Sequence, residues 1–140
     1  MLEIKQLANQ FSVSPQILLE DLDVIAKLGY KSVINNRPDG EADDQIENYK
    51  LQKKCLELGL NYQYLPVVAG QITVQNVQDM SDNINKMDKP ILAFCRTGTR
   101  SCLLWLGSDQ DKKTRANRIQ KANNQGYVFD INQIPSFDIG

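Results

Sequence analysis

The spacing of apolar residues changes along the chain, and these changes predict its helices and strands. Apolar residues three or four positions apart predict a helix over about residues 14–28, which Gly29 ends. A short edge strand is expected before it at 11–13, and an apolar run predicts a strand at 31–35. The turn residues of Asn36-Arg-Pro-Asp-Gly-Glu41 then predict a loop.

The same alternation continues through the second half of the chain. A helix is expected at 44–58, a half-buried strand at 60–65 that Pro66 ends, a loop at 67–72 and a helix at 73–87. Pro90 precedes a strand at 91–94, and the helix that follows the next loop ends near Gly107. A last helix is predicted at about 114–124, and residues 130–140 are expected to be a loosely packed tail or a short terminal helix.

Strands that alternate with helices predict an α/β fold with a central, mostly parallel sheet flanked by helices on both faces. The 140 residues contain no internal repeat and no linker, so we expect a single domain over 1–140. In such sheets ligands gather at the carboxyl ends of the strands. Cys95 and the loop from Arg37 to Glu41 both follow strands, and they should therefore meet at one site.

Residues 90–107 read as a strand, a tight polar loop and an amphipathic helix, with Cys95 at the point where the helix begins. The backbone N–H groups from Arg96 to Ser101 (Arg96, Thr97, Gly98, Thr99, Arg100 and Ser101) are the free donors of that first turn. They should surround a point above the sulfur, and Arg100 should reach it from the far side. Such an arrangement binds a tetrahedral anion against a thiolate.

A helix N-terminus stabilises a nearby negative charge by up to about 2 kcal/mol, and a neighbouring arginine adds to this effect. Cys95 should therefore be largely ionised and nucleophilic at pH 7. The alternative is a small buried apolar residue at the end of a core strand, but the flanking arginines Arg96 and Arg100 are unusual neighbours for an inert thiol. Of the other thiols, Cys102 is either a resolving partner of Cys95 or a core residue, and Cys55 is a helix residue without a catalytic role.

Composition narrows the chemistry further. The net charge is −1, which gives no electrostatic case for binding nucleic acid or an anionic membrane. Histidine is absent, which removes histidine base catalysis and most zinc sites, so we expect no metal and no cofactor. Three cysteines without disulfide-framework spacing, no apolar run long enough to span a membrane and no signal-like beginning all favour a cytoplasmic protein.

Several segments together resemble one known family. These are Gln16, Lys27-Leu-Gly29, Val33-Ile-Asn-Asn-Arg-Pro-Asp-Gly-Glu41, Leu65-Pro-Val67, Phe94-Cys-Arg-Thr-Gly-Thr-Arg-Ser101 and Trp105. They resemble the phosphatase-like domain family of the β-lactamase-hydrolase-like proteins over about residues 10–130. The resemblance implies a dual-specificity-phosphatase-like fold and two competing activities, phosphatase and sulfurtransferase. It further implies that Cys95 is the nucleophile, Arg100 the anion-binding arginine, and Arg37, Asp39 and Glu41 the accompanying loop.

The chain departs from the cysteine phosphatase pattern in three ways. Phe94 stands where those phosphatases have a histidine, and four residues rather than five separate Cys95 from Arg100, as in rhodaneses. The loop Pro66-Val-Val-Ala-Gly-Gln71 contains no acid, although phosphatases usually keep their general acid there. Asp39 is either a displaced acid or a residue that satisfies its own turn, and Arg37 is either a second anion contact or an ion-pair partner of Glu41 or Asp43.

Phosphoester hydrolysis needs an acid to protonate an alkoxide leaving group, whereas sulfur transfer through a persulfide does not. The residues present therefore slightly favour rhodanese-like sulfur transfer. The alternative is a phosphoester hydrolase, and a second alternative is a non-catalytic module that binds anions. The expected partners are a small anionic substrate or a persulfide donor and acceptor. The sequence does not indicate the oligomeric state.

Overall fold

The computed structural model describes residues 2–109 and 111–135. Its centre is a five-stranded sheet with the strand order β1-β2-β5-β3-β4. The strands are β1 (Lys5–Ala8), β2 (Phe11–Ser14), β3 (Ser32–Asn35), β4 (Asn61–Tyr64) and β5 (Ile91–Phe94). The pairs β2–β5, β5–β3 and β3–β4 are parallel and only β1 runs antiparallel, against β2, so the sheet is mixed but mostly parallel as expected.

Within the part of the chain that the structure describes, five helices cover the two faces of this sheet. They are α1 (Leu19–Lys27), α2 (Asn48–Leu58), α3 (Val74–Lys86), α4 (Thr99–Gly107) and α5 (Lys112–Asn124), and a short 3₁₀ turn (Ile131–Gln133) follows. Successive residues of a strand point to opposite faces. Leu92 and Phe94 therefore pack with α1 and α2, whereas Ile91 and Ala93 pack with α3 and α4. The single-domain α/β fold with helices on both faces is confirmed.

The predicted bounds of β5 and of the end of α4 agree with the structure, but the start of α1 was wrong. Its helix begins at Leu19 rather than Ser14, because Ser14 is the last residue of β2 and pairs with Phe94. The N–H of Gln16 then donates to the carbonyl of Arg96 at 3.1 Å. Residues 14–16 are thus bound to the loop after β5 before the helix begins.

Three other predicted elements also differ. Strand β1 was not predicted, and because it covers the outer side of β2, the expected edge strand at 11–13 lies inside the sheet. Helix α2 starts at Asn48 rather than at 44, because the preceding residues belong to the loop after β3. In the expected tail, Ile134 is buried and packs into the core, and residues 136–140 lie outside the described residues.

Candidate active site

Cys95 lies immediately after β5, and its side chain is completely buried. The backbone N–H of Gly98 donates to Cys95 Sγ at 3.1 Å, so the loop folds back over the sulfur. Gly98 is the residue that precedes α4, and its φ of 95° lies in the left-handed region that glycine adopts without strain. A glycine at this position is therefore what allows the loop to present an amide to the sulfur.

Tyr127 packs against the outer side of this loop. A Cβ atom placed on Gly98 would lie 2.3 Å from Tyr127 Oη, which leaves no room for a side chain. The hydroxyl of Tyr127 is buried and has no hydrogen-bond partner among the described residues. Burial, followed by the nearby charges of Cys102 and Cys95, raises the pKa of Tyr127, so the phenol stays protonated behind the sulfur loop.

Arg100 lies in the first turn of α4 and is held by two other loops. Its Nη1 donates to Glu41 Oε2 at 2.6 Å and to the carbonyl of Val67 at 2.9 Å, and its Nη2 donates to Glu41 Oε1 at 2.9 Å. Burial alone would lower the pKa of Arg100, but the hydrogen bonds to Glu41 and the negative charge around it outweigh burial and raise the pKa. The guanidinium is therefore charged, and Glu41 and Val67 hold its orientation.

Glu41 binds a second arginine as well. Arg37 Nε donates to Glu41 Oε1 at 2.9 Å, and Arg37 Nη1 donates to Gln16 Oε1 at 3.0 Å. The hydrogen bond from Arg100 is the main cause of a lowered pKa for Glu41; burial opposes it, and the hydrogen bond from Arg37 assists it. Glu41 is thus a carboxylate at neutral pH, and it connects the loop after β3 to the first turn of α4.

Asp39 is part of the same loop but its carboxylate is used elsewhere. Asp39 Oδ1 accepts a hydrogen bond from the N–H of Asn48 at 2.8 Å, at the start of α2. The N–H of Asp39 donates to the hydroxyl of Tyr64 at 2.9 Å. Of the three residues predicted in this loop, Glu41 therefore binds Arg100 and Arg37 binds Glu41. The Asp39 carboxylate instead accepts from a backbone N–H.

Ser101 faces away from the anion side of the loop. Its hydroxyl donates to Asn36 Oδ1 at 2.7 Å, and Asn36 Nδ2 donates in turn to the carbonyl of Leu65 at 3.0 Å. Both side chains are buried. Asn36, which was not predicted as a site residue, thus joins the loops that follow β3 and β4 to the first turn of α4. Its position directly after a predicted strand was the available signal.

A cavity of about 530 Å³ opens in front of the loop. Its polar side is lined by four residues of the predicted anion-binding loop (residues 96–101), namely Arg96, Thr97, Thr99 and Arg100, and Leu103 and Ile72 belong to its apolar side. Cys95 is completely buried and is not among the residues that line the cavity, so attack by its sulfur on a bound substrate would require this loop to shift.

The other two thiols are buried apolar residues. Burial raises the pKa of Cys55 to about 12, and burial together with the nearby charge of Cys95 raises the pKa of Cys102 to about 12. Neither forms a disulfide. Within residues 2–109 and 111–135 there is no cluster of three or more potential metal ligands, and no helix there is both long and apolar enough to cross a membrane.

Comparison with solved structures supports the assignment of the fold. The chain is similar to a putative phosphatase from Neisseria meningitidis, with 32% identity, a TM-score of 0.73, and 86% of this chain and 88% of that chain covered. It is also similar to a putative phosphatase from Shewanella putrefaciens, with 19% identity, a TM-score of 0.75, and 93% and 85% covered. The fold is therefore phosphatase-like, as the resemblance implied.

Comparison with curated sequences identifies longer relatives. The chain is 28% identical over 131 residues to a beta-lactamase hydrolase-like protein of Xylella fastidiosa. The alignment covers 93% of this chain but 30% of that protein. This chain thus spans about a third of the length of its curated relatives. The family described as the phosphatase-like domain of beta-lactamase hydrolase-like protein matches residues 3–112. The chain belongs to this family of phosphatase-like domains.

Proposed function

We propose that the chain is a cysteine-dependent phosphoester hydrolase whose nucleophile is Cys95. The observation that carries this proposal is the hydrogen bond from the Gly98 amide to Cys95 Sγ just before α4, together with the Arg100 guanidinium that Glu41 and Val67 orient in the first turn of that helix. A thiolate at a helix N-terminus next to a guanidinium is an activated nucleophile. The phosphatase-like family and fold support the same class of reaction.

The reaction proceeds through two displacements at phosphorus. Cys95 Sγ attacks the phosphorus, an S–P bond forms, and the ester P–O bond breaks with its electron pair leaving on the alcohol oxygen. Amides of residues 96–101 and the Arg100 guanidinium bind the non-bridging oxygens, where they stabilise the charge in the transition state. Water then attacks the phosphocysteine, which releases phosphate and restores the thiolate.

The site favours esters whose leaving group departs without a proton. Glu41 is ionised between two arginines, and the Asp39 carboxylate accepts from Asn48, so neither carboxyl is in place to protonate a leaving oxygen. General acid catalysis typically contributes about 10²- to 10⁴-fold in rate. We therefore expect aryl phosphates, which leave as phenoxides, to be preferred over alkyl phosphates by a factor in this range.

Sulfur transfer is the second candidate, and the same lack of a free acid favours it. Cys95 Sγ would attack the outer sulfur of a persulfide or thiosulfate, forming a cysteine persulfide as the S–S bond of the donor breaks. The released thiolate or sulfite needs no proton. A thiol acceptor would then take the sulfur and restore the Cys95 thiolate. The comparisons favour hydrolysis over this sequence-based preference, because the family and both solved structures carry phosphatase descriptions.

One paired assay separates these reactions. The purified protein is incubated with p-nitrophenyl phosphate, and separately with thiosulfate or glutathione persulfide plus a thiol acceptor. We expect p-nitrophenolate release that Cys95→Ser abolishes and that Cys102→Ala leaves intact, with a phosphoryl adduct on Cys95 in quenched samples. A sulfur adduct with no phosphate turnover would establish sulfur transfer instead. Binding of inorganic phosphate with neither turnover would identify a non-catalytic module.

A further inference from the structure

The last part of the described chain, residues 127–135, is here called the C-terminal segment. It lies beyond residues 3–112, the part matched by the family. The segment nevertheless reaches the candidate active site at three places. It makes one buried contact with the residue that precedes α4, a second with the last residue of α4, and it forms part of the cavity wall. Those contacts determine where the segment lies relative to the anion-binding loop.

The segment is anchored at both ends of α4. Tyr127, which is 8% exposed, fills the space beside Gly98 at the beginning of the helix. Ile134, which is 9% exposed, packs on Gly107 at its end, where an added Cβ would lie 2.9 Å from Ile134 Cγ2. Because both contacts depend on glycines without side chains, the segment lies directly against α4 and holds a defined position.

Between and beside these anchors, the segment supplies one wall of the cavity. Asn132, Gln133 and Pro135 line it together with Ala69, Ile72 and Leu103. Arg96 and Arg100 of the anion-binding loop line the same cavity. Its apolar lining comes from Ala69, Ile72, Leu103 and Pro135, and Asn132 and Gln133 add polar groups, so a phosphate ion bound by the arginines would leave the rest of the cavity unfilled.

We propose that residues Asn132–Pro135 are a specificity-determining wall, and that they select anionic substrates carrying a ring-sized apolar body. This proposal rests on the proposed function for the identity of the anion, and it adds the part of the chain that chooses the organic group. Apolar contacts in a pocket are the usual source of such selection, and the loss of one methylene-sized contact changes discrimination by about 10- to 200-fold.

The test compares the binding of two non-hydrolysable ligands to the full chain, inorganic phosphate and phenylphosphonate, by calorimetry. Wild type should bind phenylphosphonate at least about tenfold more tightly than phosphate, which is the value of a small apolar contact. Gln133→Trp places bulk in the cavity, and Ile134→Ala releases the wall from Gly107. Both should reduce or abolish the preference for phenylphosphonate and leave phosphate affinity nearly unchanged.

Val128→Ala is the matched control, because Val128 belongs to the same segment but is 91% exposed and does not line the cavity. It should keep the wild-type preference. Gln133 is exposed, so its replacement keeps the fold intact even if Ile134→Ala destabilises it.

Three results would overturn the proposal. They are equal affinity of wild type for phenylphosphonate and phosphate, an equal loss of affinity for both ligands in Gln133→Trp, and unchanged affinity for both ligands in that variant. The assay does not require turnover. A preference that Gln133→Trp abolishes, in a protein that hydrolyses no phosphate ester, would keep the wall and remove the proposed hydrolysis. Hydrolysis of a phosphate ester by a protein that binds phenylphosphonate and phosphate equally well would support the proposed function and rule out the specificity-determining wall.

Discussion

Glu41 offers a direct measure of how the two site loops are held together, because one carboxylate binds two buried guanidinium groups. Its oxygens accept from Arg100 at 2.6 and 2.9 Å and from Arg37 at 2.9 Å. The side chains of Arg37 and Arg100 are 6% and 10% exposed, and that of Glu41 is 23% exposed. Glu41→Gln keeps the shape of the side chain and removes its charge, so that two buried cations lose their counter-ion.

The expected cost follows from this geometry. Removing one partner of a fully buried ion pair costs about 3–5 kcal/mol, and the partial exposure of Glu41 and the retained amide oxygen reduce this to about 2 kcal/mol. For a domain of this size, such a loss lowers the melting temperature by roughly 5 to 8 °C. Inorganic phosphate should restore more stability to Glu41→Gln than to wild type, since the anion replaces the missing negative charge between the arginines.

The pH dependence has a defined sign. The pKa of Glu41 in the folded protein is below its ordinary value of 4.5, because Arg100 above all stabilises the carboxylate. The carboxylate therefore contributes its full stability above pH 4.5, and this contribution is lost as the pH falls through the lower, folded-state pKa. The stability difference between wild type and Glu41→Gln should be largest near neutral pH and should close in acid.

Urea unfolding from pH 7 down to pH 3, with and without phosphate, measures these effects. Asp43→Asn is the control, because it removes the same charge from an exposed position of the same loop. The reasoning is refuted if Glu41→Gln unfolds within about 0.5 kcal/mol of Asp43→Asn, the range of ordinary surface substitutions. It is equally refuted if phosphate stabilises both variants by the same amount.

The remaining predictions concern Cys95, the loop that follows it and the residues packed against that loop. Gly98→Ala should slow or abolish turnover and lower the urea midpoint, because its φ of 95° and the 2.3 Å approach of Tyr127 Oη both oppose a Cβ atom; a wild-type rate would contradict this. Tyr127→Phe should leave the free energy of unfolding unchanged or raise it by up to about 1 kcal/mol, since it removes a buried hydroxyl without a partner. A large decrease in the melting temperature would show instead that the hydroxyl forms a hydrogen bond. Iodoacetamide at pH 8 should modify Cys95 alone of the three cysteines, because burial raises the pKa of Cys55 and of Cys102 to about 12. Phosphate should slow the modification of Cys95. Peptide mass spectrometry that finds Cys55 or Cys102 labelled in the folded protein would refute this prediction.

Much of the sulfur loop could be predicted because its determinants are local. Pro90 precedes β5, a continuous apolar run forms the strand, and Gly98 supplies the one left-handed turn before α4. Each of these signals lies within a few residues of the structure that it specifies. The same holds for α3, where Thr73 caps the helix by accepting from the N–H of Asn76.

Other features depend on contacts between distant residues. Strand β1 has a single buried residue, Leu7, and forms by pairing with β2, so no alternation of buried and exposed residues marks it in the sequence. The apolar stripe predicted α1 five residues too early, because pairing of Ser14 with Phe94 overrides local helix propensity. Tyr127 packs on a glycine 29 positions before it, and no local pattern announces such a contact.

The general acid illustrates the same limit within the site. The motif Pro38-Asp39-Gly40 permitted two roles for its carboxylate, and only the position of Asn48 decides between them. Likewise, the sequence allowed Arg37 to be a second anion contact or an ion-pair partner of Glu41. The structure forms the ion pair, at 2.9 Å.

The carboxamide of Asn36 has a consequence for how long the site stays intact. One oxygen accepts from Ser101 while the nitrogen donates to Leu65, so the side chain must offer both an acceptor and a donor. Spontaneous hydrolysis of asparagine to aspartate, the common ageing reaction of this residue, would place a charge against the Leu65 carbonyl. Stored protein damaged in this way would lose the connection of two strand ends to α4 while every residue that touches the substrate remained chemically unaltered.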